Sequence, residues 1–266
     1  MGIQAVKVKN EEGKIMILKN LIAEGTVADV YEQDGKAIKV FHEPHSKTKA
    51  LREALTQARV EEFEFDFSVP SILSIDVFDG KWAIVMELVE GETLAELMEK
   101  NPGKTEDYLK MMAEIQNEIN HIQVPTFHEY RNRLRRQVSE LASVDDITKY
   151  DLLSYLDSAK RHVKLCHGNL EPSNVMISGN KVYVLNWVNA TRGNASADAA
   201  NTFVLLSLHH GKELANKYVE LFSAESGISK QNIQSWIPIV AAARLTLGIA
   251  EERELLTRWI NVVDLD

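Results

Sequence analysis

The chain has 266 residues, 45% of them apolar and 26% charged, the balance of an ordinary globular protein, and no apolar run approaches the roughly 18 residues that a membrane-spanning helix needs. Its 39 acidic residues against 30 basic ones leave a net charge of −9, which argues against nucleic acid as a partner and suits a cationic small molecule. A single cysteine, Cys166, excludes an internal disulfide and a cysteine-rich metal site, and reads as a small buried hydrophobe at a strand end.

The length lies near the ~250–300 residues at which a single core stops growing, so two lobes sharing a cleft are expected. The opening M-G-I-Q-A-V has neither a secretory apolar region nor the Ser or Thr of a myristoylation site, and the expected location is the cytoplasm. Strands come first. V-K-V-K and I-M-I-L-K flank a turn at Glu12-Gly13, and V-Y-E-Q joins K-A-I-K-V-F through a hairpin at Asp34-Gly35. Ser46 is placed to cap a helix whose apolar face is predicted to hold Leu51, Leu55 and Ala58. S-I-L-S-I-D-V-F and K-W-A-I-V-M-E-L-V form another hairpin at Asp79-Gly80, completing a five-stranded antiparallel lobe with one helix, residues 1–90.

From Gly91 the period changes. T-L-A-E-L-M-E-K opens a helix, and Tyr108, Met112, Ile115, Ile119 and Ile122 recur at three-and-four spacing as a buried stripe. Residues 91–266 are therefore predicted to form a larger, mostly helical lobe, interrupted by a hairpin, V-M-I-S-G-N-K-V-Y-V-L, with its turn at Gly179-Asn180. S-A-D-A-A-N-T-F-V-L-L-S-L and I-P-I-V-A-A-A-R-L-T-L read as core helices. The sequence shows no internal repeat and no low-complexity tract.

The most informative stretch is Leu165 to Trp187, L-C-H-G-N-L-E-P-S-N-V-M-I-S-G-N-K-V-Y-V-L-N-W. It resembles H-G-D-x-x-x-x-N followed by hydrophobic-D-W, the signature of the aminoglycoside phosphotransferase and choline kinase group of small-molecule kinases, with asparagine at both acidic positions. The resemblance implies a two-lobed, protein-kinase-like α+β fold and an ATP-dependent transfer of phosphate to an alcohol. His167 would brace the loop, Asn169 would face the acceptor, and Asn174 with Asn186 would face Mg²⁺. Amides bring no charge to a metal usually held by carboxylates, so Mg²⁺ affinity should be weak. An amide is no base near neutral pH either, so Asn169 could position an alcohol without deprotonating it. Glu171 stands where relatives commonly carry His or a cation. It is a relocated base or metal ligand, or a solvent-facing loop residue beside Pro172, and the second reading is preferred.

The same resemblance assigns the nucleotide side. L-I-A-E-G-T-V-A-D-V-Y is similar to a phosphate-covering loop with Gly25 at its first turn, although Val27 and Ala28 would make a stiff lid and an ordinary β-turn is the competing reading. Lys39 matches the lysine that pairs with nucleotide phosphates, and Glu53 its helix partner. Met86 would guard the adenine pocket, with backbone groups of Glu87 and Val89 bonding the base. Asp198 matches an acid that braces the catalytic loop through its backbone N–H groups. Trp236, Trp259, Glu251, Glu252 and Glu254 are acceptor-side candidates, each more readily explained as core or solvated helix surface.

Three readings follow: a nucleotide-binding kinase-fold protein with weak or no phosphotransfer, serving as sensor, sequestering binder or regulator; a working small-molecule phosphotransferase that tolerates asparagine; or an active parent into which asparagines were introduced. The chemistry favours the first. The glycine-poor lid and Glu171 speak for natural drift over engineering.

Overall fold

The computed structural model describes residues 6–9, 15–18 and 20–260. The expected turn at Glu12-Gly13 lies outside them. In chain order come strands β1 (Val6–Lys9), β2 (Ile15–Leu18), β3 (Asn20–Ala23), β4 (Ala28–Gln33) and β5 (Lys36–Phe41), then helix α1 (Lys47–Val60). Strands β6 (Ile72–Phe78), β7 (Lys81–Glu87) and β8 (Glu92–Thr93) precede helices α2 (Leu94–Lys100), α3 (Thr105–His121), α4 (Tyr130–Glu140) and α5 (Asp146–Ser158). Four short strands follow, β9 (Lys164–Cys166), β10 (Val175–Ser178), β11 (Lys181–Val184) and β12 (Thr191–Gly193), and then helices α6 (Ala195–His209), α7 (Lys212–Ser226), α8 (Lys230–Gln234), α9 (Ile237–Leu245) and α10 (Arg253–Ile260). Among the described residues no helix is long and apolar enough to cross a membrane.

Two compact units result, Met1–Thr93 with Met176–Val188, and Leu94–Val175 with Asn189–Asp266. The segment Met176–Val188, assigned from sequence to the helical lobe, groups with the first unit. Backbone pairing is the reason: Met176 and Ile177 pair with Thr93 and Glu92, and Ser68 exchanges hydrogen bonds with Val182 and Val184 at 2.8 and 2.9 Å.

The first unit is built on an antiparallel sheet of order β3-β4-β5-β7-β6, while β1 and β2 pair separately. Asp34-Gly35 and Asp79-Gly80 both have positive φ at each residue, the hairpin geometry that matches strand twist. Ser46 caps α1, its hydroxyl accepting the Lys49 N–H at 3.3 Å. The buried face of α1 is Ala50, Ala54, Gln57 and Val60, whereas Leu51 and Leu55 are 42% and 60% exposed, so the predicted apolar stripe is displaced. Small side chains let the helix approach the sheet, where Ala50 and Ala54 pack with Ala28, Phe41 and Ile84. Ala28 is thus a core residue opening β4 and not part of a lid.

In the second unit α3 buries Met112, Ile115 and Ile119 as predicted, with Leu109, Ala113, Gln116 and Asn120 beside them, while Tyr108 and Ile122 are only partly covered. Helix α3 packs on α7, and α6 on α7 and α9. Almost every residue of α6 and α9 is buried, and each large apolar side chain so removed from water is worth about 1.5–3 kcal/mol. The β9–β12 ladder delivers the chain to His167 from one side and to the Asn194 cap of α6 from the other.

Candidate functional site

The loop after β9 is fixed by Asp198 in the first turn of α6. The backbone N–H groups of His167 and Gly168 donate to its carboxylate at 3.1 and 2.8 Å, and the Asn120 amide donates to it at 3.2 Å and to the Leu165 carbonyl at 2.8 Å. Asp198 is only 1% exposed, so these donors replace the water that an ionised carboxylate would otherwise hold. His167 is fully buried. Its Nδ1 accepts the Asn169 N–H at 3.1 Å, which requires the tautomer protonated at Nε2. Asn174, also buried, donates its amide to the Asn169 carbonyl at 2.8 Å. Gly168 has a φ of 73°, and a Cβ there would lie 2.7 Å from the Asn189 carbonyl oxygen, so only glycine fits.

Asn169 is therefore gripped through both backbone groups while its half-buried side chain lines a cavity of about 110 Å³. Gly168, Asn189, Asn201, Arg133 and Arg244 share that lining. Arg133, on α4, donates to the carbonyl and side-chain oxygens of Asn189, both at 3.1 Å, with its guanidinium 4.6 Å from the Tyr130 ring centre. Burial pushes the Tyr130 hydroxyl up to about 12, so it stays a proton donor at working pH. Arg244 is held by Glu252 through two hydrogen bonds of 2.7 and 2.5 Å.

Glu171 departs from the preferred expectation. It does not face solvent; its carboxylate, 13% exposed, accepts from His209 Nδ1 at 2.7 Å. That hydrogen bond raises the His209 pKa above its ordinary value. A group with a raised folded-state pKa stabilises the fold fully below its unfolded pKa of about 6.5, and the contribution fades as pH rises through the folded value. Glu171→Gln is expected to lower stability at pH 5.5 and to matter progressively less as pH rises, as read by thermal denaturation. With His209 40% exposed, the loss should be about 0.2–1 kcal/mol, the range for solvent-screened pairs.

Of the other predicted residues, Gly25, Lys39, Glu53, Met86, Glu87, Val89 and Asn186 belong to the first unit, and His167, Asn169, Glu171 and Asn174 to the second. Lys39 Nζ meets Glu53 Oε1 at 2.5 Å, the pair partly buried between β5 and α1. Met86 packs on the α1-facing cluster, and Glu87 accepts the Ser71 N–H at 3.2 Å and the Tyr183 hydroxyl at 3.3 Å. A Cβ at Gly25 would come within 2.7 Å of the Ala28 carbonyl oxygen, so the tight turn itself requires glycine there. Asn186 has a φ of 65°, a region that Asn and Asp tolerate best among residues with a side chain. Beside it, buried Trp187 donates to the Val184 carbonyl at 2.9 Å and stacks near Phe65 and Phe67, fixing the strand end. Val89 is half-buried beyond β7.

Cys166 is fully buried, and burial pushes its thiol well above the usual range. Trp236 and Trp259 are 5% exposed and belong to the core, and Glu254 pairs with Arg258 on its own helix. Sequence reasoning missed Asn120, Arg133, Asn189 and Arg244. A polar residue inside the α3 stripe was the available signal for Asn120, whereas nothing in R-N-R-L-R-R shows which arginine reaches the loop.

Mg²⁺ is the metal that the motif's resemblance implies. The donors offered at the implied positions are the amide oxygens of Asn174 and Asn186, and the Asn174 amide nitrogen is already spent on the loop. Among the described residues no group of three or more His, Cys, Asp and Glu side chains is arranged to hold a metal ion. Each of these residues offers only an uncharged oxygen, a poor ligand for a Mg²⁺ that is usually held by carboxylates.

Residues 21–229 match the profile of the phosphotransferase enzyme family. No curated protein matches the sequence. Solved structures share its fold: aminoglycoside phosphotransferase APH(2″)-Ib with ADP bound is 13% identical, covering 97% of this chain and 92% of that one, with a TM-score of 0.62. A thermostable mutant of APH(4)-Ia in ternary complex with AMP-PNP and hygromycin B is 13% identical over 97% of this chain and 91% of that one, at 0.65. The GDP and kanamycin complex of APH(2″)-IIIa is 15% identical over 99% and 95%, at 0.62. A profile match across more than three quarters of the sequence, together with the fold shared by these enzymes, places the chain in the phosphotransferase enzyme family with the protein-kinase-like fold of aminoglycoside phosphotransferases.

Proposed function

We propose that the chain binds ATP or a related nucleotide and transfers phosphate weakly or not at all, acting as a sensor, a sequestering binder or a regulator. The observation that carries this reading is Asn169: the loop is braced by Asp198 and His167, and the side chain at the position that the motif would turn to the acceptor is an amide. On this reading Lys39, oriented by Glu53, neutralises nucleotide phosphates, and Met86, Glu87 and Val89 receive the base. Nucleotides bound by the solved relatives, ADP, GDP and AMP-PNP, support the ligand class. Asn169 would orient a hydroxyl without removing its proton. Uncharged Asn174 and Asn186 leave any Mg²⁺ that accompanies the nucleotide weakly held.

Thermal shift with ATP, with and without Mg²⁺, is the test, followed by ATP consumption against aminoglycosides, choline and nucleoside alcohols. A shift of similar size with and without the metal, with no turnover, is expected. Lys39→Ala should reduce the shift at a fixed ATP concentration, since stabilisation by a ligand scales with the logarithm of its concentration over Kd. Robust turnover by the unaltered chain would establish the second reading, an active small-molecule phosphotransferase, which the intact Asp198 brace favours.

A further inference from the structure

We propose that the cavity beside Asn169 binds an oxyanion, so that an acceptor or sensed ligand of this protein carries a carboxylate or phosphate group and is not a cationic amino sugar. The second half of that statement rests on the reading of Asn169 as acceptor-facing; the anion site itself does not. Among its described lining residues are two guanidiniums, Arg133 and Arg244, with the amide side chains of Asn169, Asn189 and Asn201 and no carboxylate, while the Gln137 amide is turned to the Ala243 carbonyl and the Thr246 hydroxyl. Arg244 is matched by the bidentate Glu252, but Arg133 is held by neutral groups, the oxygens of Asn189 and the ring of Tyr130, so its charge has no counter-ion in the lining. Asp198 does not line the cavity, and both of its oxygens are engaged by N–H donors.

A cationic ligand finds the opposite of what it needs. Glu252 is spent on Arg244 and Glu254 on Arg258, while Glu251 is exposed outside the lining. The net charge of −9 describes the whole surface and says nothing of this wall, where Arg133 is fixed within reach of Gly168 and Asn169. Asparagine at position 169 belongs to the same pattern, because an aspartate there would repel the ligand that Arg133 attracts. A volume of about 110 Å³ admits a phosphate or the head of a hydroxy acid.

Isothermal titration of the full chain with inorganic phosphate, D-glycerate and kanamycin tests this. Both anions should bind and kanamycin should not. Arg133→Gln should weaken both anions by about tenfold or more, the loss of one charge-assisted contact. Asn201→Asp, which adds a negative charge to the lining and leaves Arg133 on Asn189, should do the same, so a folding defect in the first variant decides nothing alone. Tighter binding of kanamycin than of glycerate overturns the proposal. So does anion binding that survives both variants, including binding lost instead in Lys39→Ala or in Lys160→Ser with Lys164→Ser, two lysines that line a separate cavity of about 470 Å³. Glycerate binding without any ATP response would strike the nucleotide reading alone.

Discussion

Asp198→Ala should be the most damaging single substitution in the second unit. The carboxylate satisfies two backbone N–H groups and the Asn120 amide in a site 1% exposed, and alanine leaves both backbone donors without a partner, while Asn120 keeps the Leu165 carbonyl. Each orphaned buried donor costs about 1–3 kcal/mol, so with two orphaned the loss should be roughly 2–6 kcal/mol, a large share of the ~5–15 kcal/mol of a typical domain. Asp198→Asn, which keeps one acceptor oxygen, should lose about half as much. Urea denaturation followed by circular dichroism measures both. A loss below about 1 kcal/mol for alanine would mean that water replaces the carboxylate and that the loop is not braced from α6. The nucleotide-dependent shift in Asp198→Asn should persist, since Lys39 and Glu53 lie in the other unit.

Sequence reading succeeded where local chemistry carries the instruction. Asp34-Gly35 and Asp79-Gly80 specify hairpins because both residues must take positive φ, and Ser46 specifies a helix start because its hydroxyl accepts an otherwise unpaired N–H. Asp198 was legible as the acceptor of the loop's backbone N–H groups because the motif around His167 is tightly spaced. What failed depended on partners distant in sequence. Leu51 and Leu55 look like a core stripe, but the sheet accepts only the small face of α1, Ala50 and Ala54. Glu171 looks like a loop residue until α6 brings His209 to it across 38 positions. Arg133 and Arg244 meet the loop through helix packing that no motif encodes.

Restoring acid at the two positions should give the largest gain. Asn169→Asp keeps both backbone contacts of the residue, the N–H to His167 Nδ1 and the carbonyl to the Asn174 amide, and supplies a carboxylate that can take a proton from a hydroxyl. Positioned acid–base catalysis is typically worth about 10²–10⁴ in rate, so ATP consumption with a competent acceptor should rise within that range. Asn186→Asp is accommodated by the same left-handed backbone, and it adds the charge that a hard cation requires. The double variant should therefore show a stronger Mg²⁺ dependence of its ATP response than the unaltered chain. Asn169→Asp also sets a negative charge beside Arg133, so the same substitution should weaken glycerate and phosphate while it raises turnover. The two effects have opposite sign and one cause. A variant that gains neither rate nor metal dependence would show that the amide at 169 does not face the acceptor, whereas one that gains rate with glycerate binding intact would separate the catalytic position from the cavity.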